Sequence, residues 1–277
     1  RSSDLGRIAL SRLDYTGAIK LTEDLKSTEA YGIRGRAHWY AGNLEEAADE
    51  LEATLREAAR GLDVDVVAHV VAEILRGLAY AHDKKDLHGA PLSIVHRDIS
   101  PRNIVVSFTG DVKIVDFGIA KSGTEPGEDT ANGQLKGKAP YMSPEQASGQ
   151  PIDWRSDIFA VGVMLFELTT GRRLFKGASE FETLKLIVDK DYPFPSEVKE
   201  GYPPALEKIV MKALAKKRED RYQSAREMQS DLEAFVREER IPVSTVSLTR
   251  WMESLFEDKL AQQKEALQDV KQLADVI

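Results

Sequence analysis

The sequence predicts an α+β fold that is predominantly α-helical, and three patterns in its 277 residues support this prediction. Within 67–78, apolar residues recur at i, i+4, i+7 and i+11, the spacing of one helix face, and Asp63 is placed to cap that helix. Two short β-branched runs, 104–106 and 112–115, flank Thr109-Gly110 and predict a β-hairpin. Near the N-terminus, comparable residues recur after 29 positions, a pattern typical of stacked helical hairpins.

Charge and composition exclude several classes of protein. The net charge of −8 argues against a general nucleic-acid or membrane-surface binder. The longest apolar run, 158–168, is too short to cross a bilayer, so we expect no membrane segment. The chain lacks Cys, which excludes disulfides and thiolate metal sites and fits a cytoplasmic protein. It begins with Arg1 and not with Met, which leaves open that it is a fragment.

The sequence of residues 1–56 predicts helices that are built from an imperfect repeat. Four positions have a comparable residue 29 positions later: Gly6 and Gly35, Asp14 and Asn43, Tyr15 and Leu44, Ala18 and Ala47. The second copy resembles a tetratricopeptide helix pair, because its large and small residues follow that family's packing order: Tyr31, Gly35, Ala47 and Leu51. An ordinary helical hairpin is the alternative. Two repeats are few for such an array, so we expect these helices to dock on a partner protein or on the rest of the chain.

The stretch 94–118 contains the residues on which the functional hypothesis depends. It holds His96-Arg97-Asp98, then Asn103 five residues after Asp98, and then Asp116-Phe117-Gly118. One such triplet is common by chance, but two in order, separated by short apolar strands, are not. The pattern resembles the catalytic loop and the magnesium-binding segment of protein kinases, H-R-D-x-x-x-x-N followed by D-F-G.

The resemblance implies cofactors, a substrate and a role for each motif residue. The cofactors would be ATP and Mg²⁺, and the substrate would be a protein hydroxyl group. Asp98 would orient that hydroxyl and accept its proton, whereas Asn103 and Asp116 would hold the metal. His96 and Phe117 would support the loop structurally.

Other residues of this region would adjust the activity. Arg97 is the family feature linked to activation-loop phosphorylation, because its guanidinium can pair with a phosphate. Ser100 stands where Ser/Thr kinases usually carry Lys. Arg102 could supply that positive charge, as in some tyrosine kinases, or simply face solvent. The activation segment, 116–145, contains two candidate phosphosites in its polar middle, Thr124 and Thr130. Ser122 is a third, lower-ranked candidate.

Three residues far apart in the chain resemble the buried scaffold of the kinase large lobe. Asp157 would accept hydrogen bonds from the catalytic-loop backbone, and Arg221 would pair with Glu145 of the YMSPE anchor. Lys138 occupies the place where many Ser/Thr kinases have a threonine, which weakens the assignment of this chain to the Ser/Thr kinases. The predicted domains are 1–56, tetratricopeptide-like helices; 57–237, a protein kinase large lobe; and 238–277, a linker and a helix from about Leu248.

The segment that would form a small lobe is harder to identify. Gly17-Ala18-Ile19-Lys20 resembles the V-A-I-K strand whose lysine binds the phosphates, but 5–16 lacks a Gly-rich loop and a helical sequence follows Lys20. A solvated helix lysine is the favoured interpretation. Three hypotheses follow: a bacterial-type Ser/Thr protein kinase, inactive alone if no small lobe completes it; a non-catalytic kinase-like scaffold that binds a partner; and an inactive gene fragment.

Overall fold

The chain separates into two compact units. One contains residues 1–62 with 166–173, and the other contains residues 63–165 with 174–277. The computed structural model describes residues 15–23, 63–117 and 139–256.

The described N-terminal segment is a helix and not a strand. Helix α1 runs Tyr15–Thr22, buries Ala18 and leaves Lys20 exposed. This confirms the interpretation of Lys20 as a solvated helix residue and contradicts the strand alternative. The predicted tetratricopeptide pair lies outside the described residues, as do Ser122, Thr124, Thr130 and Lys138.

The remaining described elements are mostly helical. The helices are α2 (Val64–His82), α3 (Pro144–Ala147), α4 (Arg155–Thr170), α5 (Glu180–Asp189), α6 (Pro195–Val198), α7 (Pro204–Ala213), α8 (Ala225–Glu238) and α9 (Thr245–Leu255). Short 3-10 turns cover Pro101–Asn103, Ala139–Tyr141 and Arg218–Asp220. Two strands, β1 (Ile104–Val106) and β2 (Val112–Ile114), form an antiparallel sheet. The described part of the chain is thus α+β and predominantly helical, as predicted.

Helix α2 packs against α8, α9 and strand β2. The predicted apolar stripe is confirmed, because each of its members is at most 1% exposed: Val67, Val71, Ile74 and Leu78. Burying a side chain of this size stabilises the fold by about 1.5–3 kcal/mol. Asp63 occupies the position before the helix, but its side chain makes no capping hydrogen bond, so that detail of the prediction is wrong. Its backbone carbonyl accepts hydrogen bonds from the amides of Val66 and Val67 instead.

The predicted hairpin is present at the expected turn. Strands β1 and β2 pair with Ile104 opposite Ile114. Gly110 adopts a φ of +84° in the turn, a left-handed conformation that glycine adopts without steric cost. At the open end of the ladder, the Val115 amide donates to the Asn103 carbonyl at 2.9 Å. The two ends of the hairpin are therefore a tight turn and a hydrogen-bonded base.

Helices α4 and α7 approach each other closely at a glycine. A Cβ atom on Gly162 would lie 2.9 Å from the Cβ atom of Ala213, closer than side chains normally pack. The neighbouring residues Ile158 and Phe159 of α4 are fully buried. Because protein interiors are close-packed, this glycine allows α4, which carries Asp157, to lie directly against α7.

Helix α9 packs against α2, and its Leu248 and Met252 side chains are buried. The hydroxyl of Ser244 accepts a hydrogen bond from the Ser247 amide at 3.2 Å. This cap explains why the helix begins slightly before the predicted position. None of the helices that the structure describes is long and apolar enough to cross a membrane.

Candidate active site

The carboxylate of Asp157 holds the backbone of the predicted catalytic loop, 96–103. It comes from the first turn of α4 and is 1% exposed. Its Oδ2 atom accepts a hydrogen bond from the His96 amide at 2.8 Å, and its Oδ1 atom accepts one from the Arg97 amide at 2.8 Å. Two charge-assisted bonds to adjacent amides fix the orientation of this part of the loop.

A third donor to Asp157 comes from a histidine to which the sequence patterns assign no role. The Nε2 atom of His82, at the end of α2, lies 2.9 Å from the Asp157 Oδ2 atom, and both side chains are buried. Since an ionised carboxylate can only accept, the His82 Nε2 atom carries the hydrogen. The two residues are 75 positions apart in the chain, so no local pattern indicates this contact.

Arg97 adopts a strained backbone conformation that is held from two sides. Its φ is +70°, in the left-handed region that residues with a Cβ atom rarely adopt. Its amide is bound by Asp157, and its carbonyl accepts a hydrogen bond from the Gln146 Nε2 atom at 2.9 Å. Gln146 is itself fixed, because its Oε1 atom accepts from the Ser143 amide at 3.0 Å in the capping box of α3. Strain of this kind persists only where surrounding contacts determine the conformation.

His96 connects the catalytic loop to the segment that follows β2. Its Nε2 atom donates to the Val115 carbonyl at 3.0 Å, and its Nδ1 atom accepts from the Asp98 amide at 3.3 Å. A carbonyl only accepts and an amide only donates, so both bonds fit the neutral tautomer with hydrogen on Nε2. The ring of Phe117 lies 4.6 Å from the ring of His96, centroid to centroid. Both side chains therefore pack where the loop meets the hairpin.

The two predicted metal ligands lie at the base of the hairpin. Asn103 is almost fully buried, and its Nδ2 atom donates to the Asp98 carbonyl at 2.7 Å. Its own backbone carbonyl accepts from the amide of Val115, the residue before Asp116. Asp116 is exposed and has a φ of +57°. Two hydrogen bonds thus link the backbone of Asp98 through Asn103 to the segment that carries Asp116.

This donor set suits a magnesium ion that is shared with a substrate. In the part of the chain that the structure describes, no three His, Cys, Asp or Glu side chains are gathered for a metal. One amide oxygen and one carboxylate are ligands that Mg²⁺ takes, usually together with phosphate oxygens and water. Because the Nδ2 atom of Asn103 is used as a donor, its Oδ1 atom is the one suited to a cation. Asn103 and Asp116 therefore fit a phosphate-bound magnesium ion.

Two exposed side chains lie next to these ligands in the chain. Arg102, in the 3-10 turn, is exposed, which is compatible with both of its interpretations. Val105 is 49% exposed and alternates with half-buried neighbours on β1. This exposed apolar side chain lies two residues after Asn103. The sequence pattern treats Val105 only as a strand residue, although strand alternation already places it on one face with Lys113.

Glu145 and Arg221 form a buried ion pair. The Nη1 and Nη2 atoms of Arg221 each donate to one carboxylate oxygen of Glu145 at 2.7 Å. The Ser156 hydroxyl donates to the same carboxylate at 2.7 Å. Burial alone would raise the pKa of Glu145, but the hydrogen bonds from Arg221 and Ser156 outweigh it and lower the pKa to about 2. The pair joins α3 to a residue 76 positions away in the chain.

The remaining donors of Arg221 are occupied by backbone carbonyls. Its Nε atom donates to the Ala215 carbonyl at 2.7 Å, and its Nη2 atom donates to the Lys216 carbonyl at 2.9 Å. Its Nη1 atom also reaches the Arg155 carbonyl at 3.2 Å. The guanidinium carbon lies 4.9 Å from the ring centroid of Phe159. These contacts compensate the desolvation of a cation that is only 2% exposed.

Comparisons with known proteins cover the region that contains this site. Residues 42–232 match the family model of the protein kinase domain. The chain is 40% identical over 195 residues to the Tyrosine-protein kinase MasK of Myxococcus xanthus, an alignment that covers 69% of this chain and 30% of that protein. It is 36% identical over 202 residues to the Serine/threonine-protein kinase PknL of Mycobacterium tuberculosis, covering 71% of this chain and 48% of that protein.

A further mycobacterial relative is the Serine/threonine-protein kinase PknB of Mycobacterium tuberculosis. The two chains are 40% identical over 164 residues, which is 59% of this chain and 25% of the relative. This chain spans less than half the length of each of these three curated relatives.

Proposed function

This chain belongs to the protein kinase family, and we propose that it is an ATP-dependent protein kinase of the Ser/Thr class. The observation that carries the proposal is the pair of hydrogen bonds that links Asp98, Asn103 and the segment of Asp116. Phosphoryl transfer depends mainly on positioning the acceptor hydroxyl and on neutralising phosphate charge. These three residues are of the types that supply both functions.

In this proposal Asp98 positions the substrate. Its carboxylate accepts a hydrogen bond from the protein hydroxyl and takes the proton as the new oxygen–phosphorus bond forms. The bond between the γ-phosphorus and the bridging oxygen breaks, and ADP leaves with the electron pair. Asn103 and Asp116 hold magnesium, which neutralises charge on the phosphates when it is bound. Arg102 adds positive charge beside the transferred group.

The polar scaffold holds these residues in place before the substrate binds. Asp157 and Gln146 fix the Arg97 residue from its amide and its carbonyl. His96 joins the loop to the segment that carries Asp116. Groups that are already oriented need no reorganisation during the reaction. Because a displacement of ~1 Å can lower the rate about 100-fold, substitutions in this scaffold should reduce kcat.

The relatives and two residues of the loop support two candidate classes of acceptor hydroxyl. The relatives named as Ser/Thr kinases support a serine or threonine hydroxyl. A tyrosine hydroxyl is the second candidate, favoured by the relative named as a tyrosine kinase and by Ser100 and Arg102 in the catalytic loop. Phosphoamino-acid analysis of a mixed protein substrate separates the two. Phosphoserine or phosphothreonine supports the first candidate, and phosphotyrosine alone supports the second.

A non-catalytic kinase-like scaffold is the alternative that helix α1 favours. Lys20 is exposed in a helix, so the segment that resembles the V-A-I-K strand supplies no strand lysine for the phosphates. Each tenfold loss of rate corresponds to about 1.4 kcal/mol of lost transition-state stabilisation, so a few missing phosphate contacts would silence the isolated chain. Binding of a partner protein through the N-terminal helices would then be its function.

Phosphorylation of a protein substrate by the purified chain with Mg-ATP tests the proposal. Asp98→Asn and Asp116→Ala are compared with Asp189→Asn, a matched control because Asp189 is an exposed carboxylate at the end of α5. We expect the first two variants to lose roughly 10²–10⁴-fold in activity and the control to keep it. Full activity in Asp116→Ala would contradict the metal role. A native chain with neither phosphorylation nor a thermal shift in Mg-ATP supports the scaffold.

A further inference from the structure

Helix α9 lies outside the matched kinase domain, 42–232, yet it contacts the hairpin that carries the metal ligands. The contact is at Gly110, in the turn between β1 and β2. A Cβ atom there would lie 2.5 Å from the Thr245 Cγ2 atom and 2.9 Å from the Thr245 carbonyl oxygen. It would also lie 3.0 Å from the Thr249 hydroxyl oxygen. The turn therefore sits on the start of α9 with no room for a side chain.

Aromatic and apolar contacts fasten α9 in this position. Phe108, beside the turn, meets Phe256 edge to face, with ring centroids 5.7 Å apart. Leu248 and Met252 are buried, and α9 packs against α2. The helix is thus anchored by its own apolar residues, while residues at both of its ends contact the hairpin.

The hairpin can transmit the position of its turn to its base. It consists of two three-residue strands in one antiparallel ladder. A two-stranded hairpin is marginally stable by itself, so its orientation depends on what it packs against. At the end opposite the turn, the Asn103 carbonyl accepts from the amide of Val115, next to Asp116. A displaced turn would therefore move Asn103 and Asp116 relative to the Asp98 carbonyl.

We infer that α9 is a positioning element that holds the hairpin so that Asn103 and Asp116 keep the separation that Mg-ATP requires. The inference rests on the proposed function and adds Gly110 and α9 to the set that determines magnesium affinity. Gly110 acts only through the two ligands, so it is a positioning residue. Its substitution changes metal binding, an effect that a merely structural residue would not have in a folded chain.

The variant Gly110→Ala tests this inference, with Gly89→Ala as a matched control. Both glycines have a φ of +84°, so alanine meets the same unfavourable φ at each position. A Cβ atom on Gly89, however, has nothing within 4 Å. One readout is the apparent Kd for Mg²⁺ at a fixed ATP concentration, measured by calorimetry. The other is hydrogen exchange at the Val115 amide, which requires no activity.

We expect Gly110→Ala to raise the Kd for Mg²⁺ roughly 10–100-fold, the range seen when a ligand's supporting contact is lost. Exchange at the Val115 amide should become faster, and Gly89→Ala should change neither quantity. Unchanged magnesium affinity in a folded Gly110→Ala chain would overturn the inference. Faster exchange confined to α9, with the hairpin unchanged, would also overturn it.

A second variant covers the case in which Gly110→Ala does not fold. Phe256→Ala loosens α9 from Phe108 at the opposite end of the helix and leaves the turn backbone unchanged. The same two readouts apply, with the same expected directions. If the native chain binds no Mg-ATP, the proposed function fails. Faster Val115 exchange in either variant then still supports α9 as the element that holds the hairpin.

Discussion

Two buried carboxylates, Asp157 and Glu145, hold adjoining parts of the site by different chemistry. Asp157 accepts hydrogen bonds from two consecutive backbone amides and from His82. Glu145 is bound by the guanidinium of Arg221 and by the hydroxyl of Ser156. The first carboxylate determines the path of the loop backbone. The second determines which distant segments are joined.

This difference predicts different consequences when each carboxylate loses a partner. Removing the cation from a buried ion pair leaves an uncompensated charge, which costs more than the loss of one amide bond. Removing an acceptor oxygen of Asp157, which binds the loop amides, releases the strained residue Arg97, next to Asp98. We therefore expect changes at the Glu145–Arg221 pair to act mainly on stability and changes at Asp157 to act strongly on activity.

Arg221→Met should cause the largest loss of stability. It leaves the Glu145 carboxylate buried without its cation, so we expect the free energy of unfolding in urea to fall by about 3–5 kcal/mol. Arg226→Met is the matched control. Arg226 binds Asp83 through an exposed ion pair at 3.0 Å, and its loss should cost at most about 1 kcal/mol. Equal losses in the two variants would show that burial does not determine the contribution of these pairs.

Asp157→Asn should have the next largest effect on stability and a strong effect on rate. Asparagine offers one acceptor oxygen, so its amide group would face a donor, either the Arg97 amide or the His96 amide. We expect a loss of about 1–3 kcal/mol in urea unfolding and a fall of roughly 100-fold in kcat. Asp231→Asn, which alters a carboxylate bound by the Tyr222 hydroxyl, should leave kcat unchanged. Normal kcat in Asp157→Asn would refute its positioning role.

Acid should weaken the Glu145–Arg221 pair over a defined pH range. The pKa of Glu145 is about 2 in the folded chain, below its ordinary value of 4.5. A carboxylate with a depressed folded pKa contributes its full stability above pH 4.5 and loses it as the pH falls toward 2. Between pH 7 and pH 3.5 we expect a loss of about 1.4 kcal/mol that Glu145→Gln does not show. Parallel pH profiles of urea unfolding for the two chains would contradict this expectation.

Ser156→Ala should have the smallest effect. It removes one of the hydrogen bonds to Glu145 but leaves Arg221 in place, so we expect a loss of about 1 kcal/mol at neutral pH. Because Ser156 helps to lower the pKa of Glu145, the acid-induced loss below pH 4.5 should be smaller in this variant and should end at a higher pH. Urea unfolding across the same pH range measures both effects. An unchanged pH dependence of unfolding below pH 4.5 would show that Ser156 does not lower the pKa of Glu145.

Local patterns predicted two of the elements that build the site, helix α2 and the hairpin. The spacing of apolar residues in 67–78 identified the buried face of α2, because helical periodicity depends only on near neighbours. The β-branched runs and Gly110 identified the hairpin for the same reason. The cap of α2 was predicted less well. Residue type favours Asp63 at that position, but the side chain makes no capping bond and the backbone carbonyl takes its place.

Contacts between distant residues could not be predicted in this way. The bond from Gln146 to the Arg97 carbonyl spans 49 positions, and the bond from His82 to Asp157 spans 75. The capping-box pattern indicates only the bond of Gln146 to Ser143, and His82 stands in no motif that assigns it a partner. Each contact exists only because α3, α2 and α4 are packed around the same loop.

The sequence by itself determined the type of helices α2 and α9 and of the hairpin, the family resemblance and the residues of the motifs that carry it. These follow from residue identity, short-range spacing and the order of the motifs along the chain. Only the tertiary structure decided which donors hold Asp157, and that Gly110 must lack a side chain because Thr245 lies against it. The physical reason is that buried polar groups and close backbone approaches are satisfied by whatever the fold brings beside them.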